Sequence, residues 1–381
     1  MIVAASLLAV VVVAVLVARP WLDVPPVMRS PQQPEVQRSV SVDFGIVTDP
    51  TTDWEALDAH LDAAGVTAVD LGAGRVEFTA FDWPAHPEAA AEPGADHLAR
   101  AARALRLTAD GEQRQIGLIV DAYVPEWIKQ DPSVAGVAGY GAPAPYTASA
   151  TQLARGAVGD RLVEYVAALG ERYEPSQISV TELFLNIYSF GEDDLALFRE
   201  MTGASDWPRT ADGLPDDADP VVAAWRADVI AGLLTRMRAA LDDVGGGRGK
   251  QIVLAVDARI NWYDPARGDL VSGHDYDVLL EAADRLVLWA YLFGEHVPDD
   301  IGRVTAALQE AGRDMSLLTI SVGLWVPTSE DPPGRMSTAE MAQAVAQAGT
   351  HGVTHVNVTP VSLMTDDDWA ALARLWRPTS S

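Results

Sequence analysis

Five acidic side chains, Asp49, Asp70, Asp121, Glu182 and Asp257, stand at or beside the ends of short apolar runs. Glu182 interrupts the run Ile178-Ser-Val-Thr-Glu-Leu-Phe-Leu. A carboxylate taken out of water there costs on the order of several kcal/mol unless it is paired or protonated. Paired with an interior arginine it would be structural; left as an acid with a raised pKa it suits general acid catalysis. Asp257 closes Ile252-Val-Leu-Ala-Val and reads either as a second reactive carboxyl or as a cap for the following turn. Two carboxyls facing each other supply what glycosidic-bond cleavage requires, one protonating the leaving oxygen while the other attacks or activates water. The expected roles are Glu182 as general acid, Asp257 as nucleophile or base and Asp121 as an auxiliary carboxylate.

Around these acids the expected substrate-contacting residues are Asp49, Asn186, Tyr188, Arg226, Arg259, Trp262, Trp289, Tyr291, Trp325 and Asn357. The tryptophans and tyrosines, with Trp127, fall at or just beyond the ends of successive runs. Flat apolar faces with polar edges suit sugar rings there as well as they suit a protein core.

Other chemistries leave little trace. Without cysteine there is no disulfide, thiolate nucleophile or cysteine zinc site. His351 and His355 are four apart, but Gly352 and the surrounding loop and strand do not make the one-faced helix of a zinc pair, so no metal is expected. Gly245 to Lys250 is followed by Gln251 and a strand, not by Ser or Thr and a helix, so it reads as a turn and not as a phosphate loop. His274, with Asp275 and Asp277, reads as the cap of a helix. A Gly-x-Ser-x-Gly elbow is absent. No cofactor is expected.

The elements that would position the acids alternate between two periods. Short β-branched runs occur at Val40–Val47, Ala68–Leu71, Ile116–Val120, Ile178–Leu185, Ile252–Val256, Leu286–Trp289, Leu317–Val322 and His355–Val358. Amphipathic stretches separate them, including Trp54–Ala64, Asp96–Leu107, Asp160–Arg172, Val221–Asp242 and Thr338–Ala348. Alternation of this kind predicts parallel strands covered by helices. Asp49-Pro50 ends the first run without the glycine signature of an open nucleotide-binding sheet, so a closed (β/α)8 barrel is expected. Its strand C-termini would gather the acids at one mouth. Long insertions are expected at Tyr123–Val158 and Asn186–Asp219.

The 381-residue chain carries 54 Asp and Glu against 27 Lys and Arg, a formal charge of -27. That field repels phosphate backbones and excludes nucleic acid as an expected partner, while permitting a neutral or cationic one such as a polysaccharide or oligosaccharide. Ile2 to Ala18 is apolar apart from Ser6, which is just long enough to cross a bilayer. Residues 1–21 are therefore expected to be a transmembrane anchor or a signal segment. Residues 22–39, with Pro25, Pro26, Pro31 and Pro34, are expected to be a semi-rigid linker. Residues 40–381 would form the barrel, held outside the cytoplasm at the cell membrane or secreted.

Several segments taken together resemble the family-10-like glycosyl hydrolases. Pro125-Glu126-Trp127 leads to Gly159-Asp-Arg-Leu-Val-Glu-Tyr, and Ile178 to Tyr188 occupies the place of the family's acid-bearing strand. Phe190-Gly-Glu-Asp-Asp-Leu-Ala-Leu-Phe-Arg-Glu-Met-Thr-Gly203 and Trp225-Arg226 then follow in the same order. The resemblance covers a little under half the chain. It implies a (β/α)8 barrel acting on polysaccharide, with Glu182 in place of the family's strand-four acid and Arg226 in place of its helix arginine. Where the family has paired aspartates, this chain has one acid, with Asn186 further on. A non-catalytic sugar-binding or scaffolding barrel at the envelope is the alternative.

Overall fold

A computed structural model describes residues 27–29, 35–326 and 334–377. Eight parallel strands form the closed barrel: β1 (Gln37–Val42), β2 (Ala68–Arg75), β3 (Gln115–Asp121), β4 (Gln177–Thr181), β5 (Val253–Arg259), β6 (Arg285–Ala290), β7 (Leu318–Gly323) and β8 (His355–Thr359). The sheet closes because β1 pairs with β2 on one side (Ser41 opposite Asp70) and with β8 on the other (Ser39 opposite Asn357). A principal helix follows each strand: α1 (Trp54–Ala64), α2 (His97–Leu105), α3 (Ala157–Tyr173), α4 (Pro220–Asp243), α5 (Tyr276–Ala282), α6 (Pro298–Glu310), α7 (Thr338–Ala348) and α8 (Asp366–Trp376).

Side-chain alternation along the strands explains the layers. Val40, Val69, Leu71, Leu118, Val180, Leu254, Leu288, Ile320 and Val358 are fully buried and join the hydrophobic core that contains the helices' apolar residues. The alternate positions are polar: Ser39 and Ser41, Asp70, Gln177 and Ser179, Asp257, Thr319 and Ser321, Asn357 and Thr359. The apolar core therefore lies between sheet and helices, and the barrel interior is lined mainly by hydroxyl, amide and carboxyl groups, with Ile119 and Val287 among them. Typical barrels fill that interior with bulky aliphatic layers.

Helix ends follow local chemistry. Asp53 caps α1 by accepting from the Ala56 amide at 3.0 Å, and Gly65, at φ 70, terminates it in the left-handed region that favours glycine. Ser337 and Glu340 form a capping box on α7. Asp275 caps α5, and His274 has a different function, described below.

Three expectations are corrected. The first strand ends at Val42 and not Val47, because Asp43 opens a short helix at Phe44–Thr48. The fourth ends at Thr181, because Glu182 takes φ 56 and breaks the pleat. The linker is not wholly a spacer: Met28 is buried, its amide donates to Tyr173 O at 3.3 Å, and Arg29 pairs with Glu174. The expected anchor at Ile2–Ala18 lies outside the described residues, among which no helix is long and apolar enough to cross a membrane.

The two long insertions are built as one cross-linked unit. The first holds a helix at Pro125–Gln130, a hairpin of Ala135–Val137 with Pro143–Ala148, and a helix at Ala150–Arg155; the second holds a helix at Glu192–Thr202. Asp194 accepts from the Thr151 amide (2.9 Å) and hydroxyl (3.1 Å), Ser149 donates to Asp193 (2.8 Å), and the Phe190 amide donates to Val137 O (2.8 Å).

Arg226 anchors this unit to α4. Fully buried, it donates to Ser189 Oγ, Asp217 O, Val271 O and Asn186 O at 2.7–3.0 Å. Its expected contact with substrate is thereby corrected, since the donors named here are spent on the fold and the side chain has no exposed surface. Arg226→Ala leaves those acceptors buried without their charged donor and should cost about 3 kcal/mol or more. Equilibrium denaturation measures this, and an unchanged midpoint would contradict the anchoring role.

Candidate functional site

The barrel mouth opens into a cavity of about 790 Å³ lined by five carboxyl groups, those of Asp43, Asp70, Asp121, Glu182 and Asp257. Tyr291, Trp325 and Asn357 also line it. Three of the four acids read from the sequence that line it, Asp70, Asp121 and Asp257, lie within strands, and Glu182 is the first residue past β4.

Glu182 is half-buried in a left-handed backbone conformation that costs a non-glycine residue on the order of 1–3 kcal/mol. Its surroundings hold it there. His274 is fully buried and bridges the two neighbouring strand ends: its Nδ1 accepts from the Arg259 amide at 2.9 Å, and its Nε2 then donates to Leu183 O at 3.0 Å. Burial depresses the pKa of this imidazole to about 4, so it is neutral, as the bridge requires. The Tyr123 hydroxyl donates to the Glu182 carboxylate. Burial raises the Glu182 pKa, as does the charge of Asp121, while the Tyr123 hydrogen bond and Arg259 pull it down.

Asp121 at the end of β3 pairs with Arg75 at 2.7 Å and accepts from the Tyr123 amide at 2.9 Å. Burial raises its pKa against the pull of Arg75. Asp257 lies two residues inside β5, so the turn-cap reading does not apply. Ser179 donates to one carboxyl oxygen at 2.5 Å and Trp289 Nε1 to the other at 3.0 Å. Its pKa is also raised by burial, against these bonds.

Asp70 sits opposite Gly117 on β3, where a Cβ would come within 2.0 Å of its Oδ1, so the glycine makes room for the carboxyl. Burial and the charge of Asp257 push its pKa up to about 7, with Arg285 and Ser39 opposing. Asp43 accepts from the Ser362 amide at 3.0 Å and is also raised by burial.

Aromatic groups flank the acids. Trp289 stacks on Tyr291 (centroids 5.5 Å, planes at 10°), and Tyr291 meets Trp325 at 5.4 Å. On the other side Tyr123 contacts Tyr146 at 5.6 Å and Phe184 at 6.2 Å. Arg259 joins the two groups, its guanidinium 3.8 Å from the Phe184 ring centroid and 5.7 Å from that of Trp289.

The remaining expected site residues lie elsewhere. Asp49 caps an exposed turn through Thr51 at 2.7 Å. Asn186 and Tyr188 belong to the loop anchored by Arg226, where Asn186 Oδ1 accepts from the Tyr188 amide. Trp262 stacks on His296 at 4.4 Å outside the cavity lining, and Trp127 packs beneath Arg161. Asp43, Arg75, Phe44 and Phe78 line the cavity without having been singled out. For Asp43 the sequence signal is the Asp-Phe-Gly that interrupts the first apolar run. Among the described residues no group of three or more His, Cys, Asp or Glu is arranged to hold a metal ion.

Neither the protein-family models nor the curated proteins contain a sequence match to this chain. Solved structures do match in fold. The glycoside hydrolase domain of PgaB (BpsB) from Bordetella bronchiseptica is similar with a TM-score of 0.60 at 16% identity, covering 88% of this chain and 95% of that one. A β-galactosidase from the psychrophilic Marinomonas ef1 gives 0.64 at 12%, covering 89% and 59%. The α-L-fucosidase isoenzyme 2 of Paenibacillus thiaminolyticus gives 0.60 at 14%, covering 90% and 49%. This chain thus spans nearly all of the first and about half to three-fifths of the other two. Its fold is that of glycoside-hydrolase (β/α)8 barrels.

Asp70 keeps its proton in the folded chain up to about pH 7 but releases it near the ordinary aspartate value of 3.8 when unfolded. Between those values the folded state binds more protons, so this group lowers stability as pH rises across the window. His274 and His355, both with pKa depressed to about 4, act in the opposite sense and lower stability as pH falls from 6.5. In Asp70→Asn the first contribution disappears. Urea unfolding at pH 4.5 and 7.5 should show the variant gaining on the parent as pH rises; a pH-independent difference would refute the assignment.

Proposed function

We propose that this protein is a glycoside hydrolase of cell-surface or extracellular polysaccharide. The observation that carries the reading is the convergence of Glu182, Asp121 and Asp257 on one aromatic-flanked cavity at the barrel mouth. Glu182 acts as general acid: burial keeps it protonated at a higher pH than a free carboxyl, and the Tyr123 hydroxyl orients it. Asp257, held between Ser179 and Trp289, acts as nucleophile or base on the opposite side of the scissile bond. Asp121 and Arg75 form an auxiliary pair that fixes Tyr123 through its amide. Tyr291 and Trp325, which line the cavity, offer aromatic faces to the sugar, with Trp289 stacked on Tyr291. The resemblance to the family-10-like glycosyl hydrolases supports the same assignment of the strand-four acid to Glu182.

Residues 1–21 would tether this activity to the cell envelope, and the composition of Ile2–Ala18 supports that placement. Membrane fractionation of the producing cells, with extraction by detergent but not by high salt, is the expected result.

A second reading, a non-catalytic carbohydrate-binding barrel, draws on Asp257, whose two oxygens both already accept hydrogen bonds. Turnover separates the two. Against aryl β-galactosides, aryl α-L-fucosides and extracellular polysaccharide from the producing cells, Glu182→Gln and Asp257→Asn should each lower kcat by about 10²–10⁴-fold, the usual worth of a positioned acid or base. A Glu182→Gln protein that works as fast as the parent would exclude the acid role. Sugar binding without any turnover by the parent would establish the second reading.

A further inference from the structure

The cavity does not stop at the acids. It continues down the barrel axis to Thr319 and to the side chains of Gln37 and Gln177, which open β1 and β4 at the opposite end of the barrel from the mouth. Strands rise about 3.3 Å per residue and tilt by roughly 36° in such barrels, so an interior five residues long is on the order of 13 Å deep. Around and below Asp257 the walls carry hydroxyl, amide and carboxyl groups, Ser41, Asp70, Thr319, Ser321 and Asn357, with Ile119 and Val287 as apolar lining among them. The floor is closed. Gln37, Gln177, Arg285 and His355 are all at most 7% exposed, and Arg285 donates to Gln177 Oε1 at 3.3 Å.

Two observations mark this lower space as a built site. Thr319 is 4% exposed and lines the cavity, yet its hydroxyl has no hydrogen-bond partner, and a buried polar group without a partner is costly. Gly117 meanwhile leaves the Asp70 carboxyl the room it occupies, which any larger residue would fill. The hydrogen-bonding groups here are mostly neutral donor–acceptors on a closed wall. They match a compact polyhydroxylated ring, while the aromatic faces are confined to the rim above.

We infer that the lower chamber receives one terminal sugar unit, so that the site takes polysaccharide by its ends. This rests on the carbohydrate reading given above. A chain threading past the acids would need two exits, and the closed floor leaves one. The unit below the acids is enclosed by Thr319, Asp70 and Asn357, and the remainder of the chain leaves along the aromatic rim.

The test is calorimetric titration of the full-length protein with galactose, L-fucose and N-acetylglucosamine at millimolar concentrations, in the parent, Thr319→Val and Thr319→Phe. Thr319→Val removes one neutral hydrogen bond and should weaken binding by about three- to tenfold. Thr319→Phe fills the chamber and should abolish binding; if it fails to fold, the valine variant still decides the question. Equal binding by the parent and Thr319→Val would place the sugar on the rim and overturn the chamber while leaving the carbohydrate reading intact. Failure of all three sugars to bind the parent also overturns it. If polysaccharide is cleaved, monosaccharide should be the only early product, and an early ladder of oligomers would overturn end-on action with the hydrolase reading intact. Absence of any cleavage counts against the hydrolase reading alone, since the titration measures the chamber independently.

Discussion

A carboxyl group withdrawn from water must be neutralised, bonded or paid for by the rest of the fold, and this barrel withdraws several into one cavity. The composition of its interior follows from that constraint. Ser179 and Trp289 bond Asp257, Arg75 pairs with Asp121, Tyr123 bonds Glu182, and Arg285 lies close enough to Asp70 to lower its pKa. Such partners need inward positions that aliphatic residues would otherwise occupy. The aliphatic residues instead form the shell between sheet and helices, which is where the fold's hydrophobic stabilisation lies.

The same constraint bears on how Glu182 is held at the mouth. Glu182 leaves β4 through a left-handed residue, and that conformation persists because the peptide beside it is held from another strand by His274. Only a neutral imidazole with one defined tautomer can accept from Arg259 and donate to Leu183 at once. The acid is thus set by a group that lies behind it and never faces the cavity. Positioning of this kind favours a fixed geometry over one assembled on binding.

All eight strands were legible as β-branched runs, and α1 and α7 match their predicted bounds, because period and length are strong signals for parallel strands and their covering helices. Asp121, Glu182 and Asp257 were legible because each places a carboxyl in or against an apolar run, which no packing argument excuses. What failed to show were features set by three-dimensional closure. Asp49 looked like the acid at the first strand end, yet the chain had already turned into a helix at Phe44. Arg226 carried a family-like position without any indication that backbone carbonyls from three separate loops would enclose it. Asn186, Tyr188 and Trp262 sit in insertions whose course depends on contacts far away in sequence. The polar alternation of Ser39 and Ser41, Gln177 and Ser179, Thr319 and Ser321 was visible in the residues, but its meaning as a hollow interior appears only when the strands are arranged in a ring.

The cross-linked insertions after β3 and β4 have a consequence for how such a protein can diverge. Hairpin, short helices and loop are stitched to one another by Asp193, Asp194 and Phe190, and to α4 by Arg226 and by Arg236, which donates to Ala154 O at 2.9 Å, while the strands beneath contribute the reactive groups. None of the insertion residues lines the cavity; they reach the site through Tyr146, which meets the Tyr123 ring whose hydroxyl bonds Glu182. Remodelling of the insertions would therefore act on the acid from behind, through one aromatic contact, without reworking the ring of strands that carries the reactive groups.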